Sequence, residues 1–206
     1  MFAGNRPTKG TLFKNTYMNM TSHCQLWFPG ERDPVVAQVV EYRQIFWFHN
    51  SPKPLLLSCK IPESHRDKIP SSVSLVEGKC DIATTNLRIT YNQLPVGEAK
   101  EGFAVCVKGM DYVDDLSDRL TEWIELVSAL GADKIFLYDL GVHPSVSQLL
   151  SYYSGTGLVE VTPLSLPGHL PSVPGLTNLY LKARKQDKRQ NELIPYNDCF
   201  YRNMYR

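Results

Sequence analysis

The stretch FAVCVKGMDYVDDLSDRLTEWIELVSALGADKIFLYDLGVHPSVSQLLSYYSGTGLVEV, residues 103–161, decides the fold. It opens on Phe103-Ala104-Val105-Cys106-Val107, a short and wholly apolar run of the kind a strand needs when both its faces are buried. Leu116, Leu120, Trp123, Ile124 and Val127 then recur on one face of a helix. Asp114 or Asp115 suits its start and Gly131 its end. Ile135-Phe136-Leu137-Tyr138 is a second strand. His143-Pro144 opens a second helix, whose buried face carries Val146, Leu149, Leu150 and Tyr153. Gly155 and Gly157 close it, and Leu158-Val159-Glu160-Val161 is a third strand. The order β-α-β-α-β with short connections predicts a parallel sheet with right-handed crossovers. Such sheets bind ligands at the carboxyl ends of their strands, here Val107-Lys108-Gly109 and Tyr138-Asp139-Leu140-Gly141.

Outward from this core the texture changes. Downstream, residues 163–178 hold four prolines and two glycines and read as a long surface loop. Lys182, Arg184, Lys185, Lys188 and Arg189 read as a solvated basic face. A final helix is predicted from Leu193-Ile194-Pro195, with Leu193, Tyr196, Phe200 and Met204 on its apolar side. Asp198 and Arg202, four residues apart, can pair along it. Upstream, residues 1–34 are polar and broken by Gly and Pro, and read as a poorly ordered lead-in. Residues 35–100 are β-rich, with strand patterns at 35–48, 55–57, 73–76 and 87–91. The domain division is therefore 1–34, 35–100 and 101–206.

The 206 residues carry 22 Lys+Arg against 21 Asp+Glu, a formal charge of +1, so no basic stripe points to nucleic acid. Apolar residues at 43% support a sizeable core. No run approaches the ~18 apolar residues of a membrane span, and no signal-peptide core is visible. Cys24, Cys59, Cys80, Cys106 and Cys199 form no C-x-x-C pair, which argues against a zinc ribbon or a thioredoxin-type site. They are either buried thiols or the material of one or two disulfides, with at least one left over. Asn19-Met20-Thr21 is a glycosylation sequon.

Several chemistries lack their motif. There is no G-x-G-x-x-G, no phosphate loop with its lysine, no G-x-S-x-G elbow and no H-E-x-x-H. Asp-x-Asp, the form a metal–diphosphate clamp takes, is absent too. The remaining candidates sit at strand ends and on the last helix. Asp139 can accept hydrogen bonds from a base or ribose, or simply shape its turn. Lys108 can meet a phosphate or stay solvated. Glu122 beside Trp123 is an exposed helix residue or orients a loop. Asn197 and Asp198 are polar positions in an aromatic-rich helix, or its solvent side.

Several motifs in series resemble one family. They are Phe-Ala-Val-Cys-Val-Lys-Gly at 103–109, Arg-Leu-Thr-Glu-Trp-Ile-Glu-Leu at 119–126 and Leu-Gly-Ala-Asp-Lys-Ile-Phe-Leu-Tyr-Asp at 130–139. His-Pro-Ser-Val at 143–146, Leu-Ser-Tyr-Tyr at 150–153 and Glu-Leu-Ile-Pro-Tyr-Asn-Asp-Cys-Phe-Tyr-Arg-Asn at 192–203 continue them. Together they resemble glycosyltransferase family 92, formerly domain of unknown function 23, over about residues 55–206.

The resemblance implies a GT-A-like nucleotide-sugar-binding fold, here an incomplete β-α-β-α-β sheet behind a smaller β-rich segment. It implies inverting, metal-dependent transfer of a hexose, galactose from UDP-galactose, to a glycan hydroxyl. It places the protein on the lumenal side of the Golgi membrane, with an anchor outside this chain. Asp139 becomes the uridine-recognition candidate. Lys108 and Gly109 become the edge of the donor pocket, and Asn197, Asp198 and Arg202 the helix facing the donor. A lumenal setting favours disulfides, with Cys59–Cys80 the preferred pair and Cys106–Cys199 a second candidate near the sheet core. In the family the Tyr-Asn-Asp-Cys helix leads to a strand ending in Asp-x-Asp, whose carboxylates hold the metal. The sequence stops before that motif. The expectation is thus an N-terminal half-domain, inactive by itself, with the Mn²⁺ ligands elsewhere and no general base to name. Two rivals stand beside this reading. One is a non-catalytic fragment that binds a homologue or a glycan, since an open sheet edge needs cover. The other is an unrelated α/β enzyme such as a methyltransferase, which the missing Gly-rich loop weakens.

Overall fold

The computed structural model describes residues 22–45, 54–91, 102–168 and 170–204. The sequon at Asn19 and the aromatic run Phe46-Trp47-Phe48 lie outside the described residues. The chain divides into two units, Met1–Tyr42 with Leu57–Ile89, and Arg43–Leu56 with Thr90–Arg206.

The first unit is built on an antiparallel sheet of β1 (His23–Trp27), β2 (Val35–Gln44), β3 (Leu55–Cys59), β4 (Ser72–Val76) and β5 (Leu87–Arg88), in the order β3-β2-β1-β4-β5. The central strand β1 lies within the stretch read as lead-in, so that reading is corrected for residues 22–34. Its composition hides it. Cys24 and Leu26 face a core with Phe28, Ala37 and Val39, but the alternate positions are polar. His23 and Gln25 are nonetheless buried, because the turn after β4 supplies their partners. The His23 ring meets the Glu77 carbonyl at 3.1 Å, and Gln25 Nε2 donates to the Asp81 carbonyl at 2.9 Å. The sequence alternates polar and apolar as a half-exposed strand would, and the loop that satisfies the polar groups buries the second face as well.

The disulfide partner of Cys59 also needs correction. Cys59 pairs with Cys24, at a Cα–Cα distance of 6.3 Å, and Cys80 is free and exposed. Cys59 packs against the same core that contains Cys24, Leu26 and Phe28, while Cys80 sits in the surface turn beyond β4. The curled sheet brings the two strands flanking β2 close enough to bridge.

The second unit is α/β. It comprises β6 (Ala104–Met110), α1 (Ser117–Ala129), β7 (Lys134–Asp139), α2 (Pro144–Gly155), β8 (Val159–Pro163), α3 (Pro174–Ala183) and α4 (Lys185–Asn203). The three strands are parallel in the order β6-β7-β8, as the 103–161 pattern predicts. Sequential order with right-handed crossovers puts α1 and α2 on one face. There Ile124, Ile135, Leu137, Val146 and Leu150 form the core, each nearly or completely removed from water. Asp115, one residue before the N-cap Leu116, accepts from the Ser117 N–H at 3.0 Å, and Gly131 at φ +97° ends the helix.

The other face of β6 and β7 carries Cys106, Phe136 and Tyr138, and α4 covers it. Cys106 bonds to Cys199 of α4 across 93 residues, with 5.8 Å between the Cα atoms. Two helical assignments differ from expectation. The Pro-rich stretch ends in α3, with Pro174 at its first turn, where a missing N–H costs nothing. The last helix begins at Lys185, and Pro195 lies inside it, fully buried. Tertiary packing against β6 and the disulfide hold the helix through that proline. The basic run therefore joins two helices, and Asp187, Gln190 and Asn191 on its inner side are buried.

Iodoacetamide labelling under non-reducing conditions should modify Cys80 alone. Replacing Cys106 and Cys199 together by serine should cost ~2–4 kcal/mol of stability, read from the denaturant midpoint.

Candidate functional site

The carboxyl ends of the parallel strands converge on Lys108-Gly109-Met110-Asp111, Asp139-Leu140-Gly141 and Pro163-Leu164. Met110 and Asp139 are register partners, so Asp111 stands at the tip of β6 beside the tip of β7. Asp111 is 2% exposed, and both its carboxylate oxygens accept from Lys188 Nζ, at 3.1 and 3.0 Å. Its backbone carbonyl accepts from the buried Asn178 of α3. Three residues before it, within β6, Lys108 Nζ meets Glu192 Oε1 at 2.7 Å. The Glu192 carboxylate beside it raises the Lys108 ammonium above the ordinary lysine range, against the opposing effect of burial.

Gly109 is buried between these groups. A Cβ there would sit 2.6 Å from Leu140 Cδ1 and 3.3 Å from Leu164 Cδ2. Its role is close packing of the strand end, which lets Leu140, Leu166 and Leu181 cluster under α3. Asp139 takes its turn-shaping role. Its Oδ1 accepts from the Gly141 N–H at 2.7 Å, and Gly141 adopts φ +123° against Pro174.

The residues on α4 form a separate group. Asp198 accepts from the Tyr138 hydroxyl at 2.7 Å through Oδ2 and from Arg202 Nε at 3.0 Å through Oδ1. Burial, and then the Asp198 carboxylate, push the Tyr138 phenol well above its ordinary value. Asn197 Nδ2 donates within the helix to the Leu193 carbonyl. Glu122 lies exposed on α1.

The six predicted residues thus fall into four places. Lys108 and Gly109 share the strand-end cluster, Asp139 holds the neighbouring turn, Asp198 and Arg202 brace Tyr138, and Asn197 caps a carbonyl of its own helix. Sequence reading missed Asp111, Asn178, Lys188 and Glu192. Asp111 was within reach, since it follows the apolar strand as directly as Asp139 does. Lys188 was concealed in a basic run. The free space among Gly109, Asp111, Leu140, Lys188, Asn191 and Glu192 is only about 10 Å³. A larger open groove, about 450 Å³, lies at the opposite ends of β6 and β7, lined mainly by Phe103, Phe136, Cys199, Phe200 and Met204.

The family model of glycosyltransferase family 92 matches residues 101–206, the stretch that holds the parallel sheet and both lysine–carboxylate pairs. The chain belongs to glycosyltransferase family 92. No curated protein and no solved structure matches it. The family 92 match begins three residues before β6 and ends beyond α4, so the strand-end cluster and the Tyr138–Asp198–Arg202 group both lie inside it. The parallel sheet with helices on both faces is consistent with a GT-A-like fold.

Tyr138 keeps its proton more tightly folded than unfolded. Its bond to Asp198 therefore stabilises fully below pH ~10, the ordinary phenol value, and is lost as pH rises through the folded value. Tyr138→Phe should cost ~1–2 kcal/mol near neutral pH. It should also remove one late-ionising tyrosine from a spectrophotometric titration.

Proposed function

We propose that this family 92 chain serves hexosyl transfer, with galactose moving from UDP-galactose to a glycan hydroxyl and inversion at the anomeric carbon. The observation that carries the reading is the family match over a parallel sheet whose carboxyl ends gather Lys108, Asp111, Asp139 and Lys188. In such a transfer the acceptor oxygen attacks opposite the leaving diphosphate, and negative charge builds on that diphosphate. Ammonium groups held at the strand ends supply preorganised stabilisation of that charge. Asp139, which gives only Oδ1 to the Gly141 turn, is the acceptor for ribose or base hydrogens.

A bound divalent ion, Mn²⁺ by family resemblance, would add Lewis-acid neutralisation of the diphosphate. Among the described residues no three His, Cys, Asp or Glu gather as a cation site. Both oxygens of Asp111 are held by Lys188 and Asp139 Oδ1 by the Gly141 turn, so these residues do not fit the ion.

Two disulfides support an oxidising compartment, in keeping with a lumenal Golgi location. No helix of the described residues is long and apolar enough to cross a membrane. The nearly closed strand-end space favours a second reading, in which the chain binds a homologue or a glycan without turnover.

In an extended form of the protein, radiolabelled galactose should move from UDP-galactose to a glycan mixture, and only with Mn²⁺ present. Asp139→Ala should weaken UDP binding by roughly 1–3 kcal/mol, with Asp139→Asn, which can keep the turn, separating recognition from folding. Absence of transfer from every UDP-sugar, with UDP affinity unchanged in Asp139→Ala, would overturn the transferase reading.

A further inference from the structure

The two lysine–carboxylate pairs at the strand ends look alike in length and differ in what they cost to open. Lys188 holds both oxygens of Asp111, which is 2% exposed and sits at a fixed strand tip. Asp111 cannot swing away, and stripping it of Lys188 would strand a buried charge. Glu192 is a different partner. Its side chain is 26% exposed and that of Lys108 31%, so the carboxylate can rotate into water. A partly exposed pair of this kind is worth only a modest net free energy. Glu192 also lies four residues after Lys188 on α4, which puts the two side chains on one helix face over the same space. Lys108 in turn senses Asp111 as well as Glu192, so both ammonium groups serve one small region.

A carboxylate on a lysine occupies the position a phosphate oxygen would take, since both are anionic acceptors of the same ammonium donor. We propose that Glu192 is a built-in competitor for an anion subsite formed by Lys108 and Lys188: with no ligand it neutralises Lys108, and a diphosphate displaces it to solvent. Asp111 stays in place and keeps Lys188 aimed at the same region. This rests on the donor reading above and deepens it. The strand ends then select the diphosphate portion of a nucleoside diphosphate, and the closed space of about 10 Å³ is the self-occupied state of the subsite.

The test is calorimetric titration of the whole chain with UDP, inorganic pyrophosphate and uridine, in the unaltered protein, Glu192→Gln and Lys108→Gln. Melting curves confirm that each variant folds. Removing the competitor should tighten UDP and pyrophosphate by roughly two- to fivefold, the scale of a half-exposed ion pair, and leave uridine unchanged. Lys108→Gln should weaken both anions. Unchanged or weaker anion binding in a folded Glu192→Gln overturns the competitor role. If UDP binds but ignores Glu192, the donor reading survives and this proposal falls. If pyrophosphate tightens in Glu192→Gln while UDP and UDP-sugars do not bind, the anion subsite stands and the donor reading falls. No binding of either anion to any variant overturns both.

Discussion

A parallel strand buried on both faces needs cover on both sides, and the central strand β7 imposes that demand on the whole second unit. Ile135 and Leu137 point to the α1–α2 layer, while Phe136 and Tyr138 point the other way. The first layer comes free with the β-α-β-α-β chain order, because right-handed crossovers between adjacent strands place both helices on one side. The second layer must come from elsewhere in the chain. It comes from α4, fastened to β6 by the Cys106–Cys199 bridge, with Cys199 itself completely buried. Without that layer, Phe136 and Tyr138 would face water.

Covering the sheet with α4 has a consequence at the strand ends. The first turns of α4 carry Asp187, Lys188, Gln190, Asn191 and Glu192, a polar inner side over the tips of β6 and β7. An apolar lid would have closed this region as core. A polar one leaves a site that charged ligands can share with the protein, provided each buried group has a partner in the resting state. Asp111 has Lys188, Lys108 has Glu192, and the Tyr180 hydroxyl donates to Asp187 at 2.5 Å. The charged side chains of this arrangement are paired, and the space among them is nearly closed.

Legibility in the sequence followed the physics of burial. Residues 103–161 were readable because their apolar positions repeat with the periods of a buried strand and of an amphipathic helix. Strand β1 is short and set among Gly and Pro, so its alternation of His23 and Gln25 with Cys24 and Leu26 was overlooked, and only the folded turn after β4 explains how both of its faces are buried. Helix α4 was half-readable. Its aromatic C-terminal part shows a face, while its start is charged and Pro195 looks like an opening residue rather than an interior one. The disulfides show the same limit. Cysteine positions carry no distance, so Cys59 was matched with Cys80, nearer in sequence than its true partner Cys24. Within the site, Lys108 and Asp139 were flagged by strand-end position, but their roles were decided by the neighbours that fold against them.

Sequence alone determined the β-α-β-α-β order of residues 103–161, the parallel sheet and the family, because these rest on local periodicity and on motifs contiguous in the chain. Tertiary structure alone decided which cysteines bond, which polar residues are buried and which carboxylate each lysine meets. Those outcomes join residues separated by 35, 93, 77 and 84 positions. Nothing local encodes such a distance. It is set when two-sided burial of β7 draws α4 across the sheet, and when the curl of the first sheet brings β1 to β3.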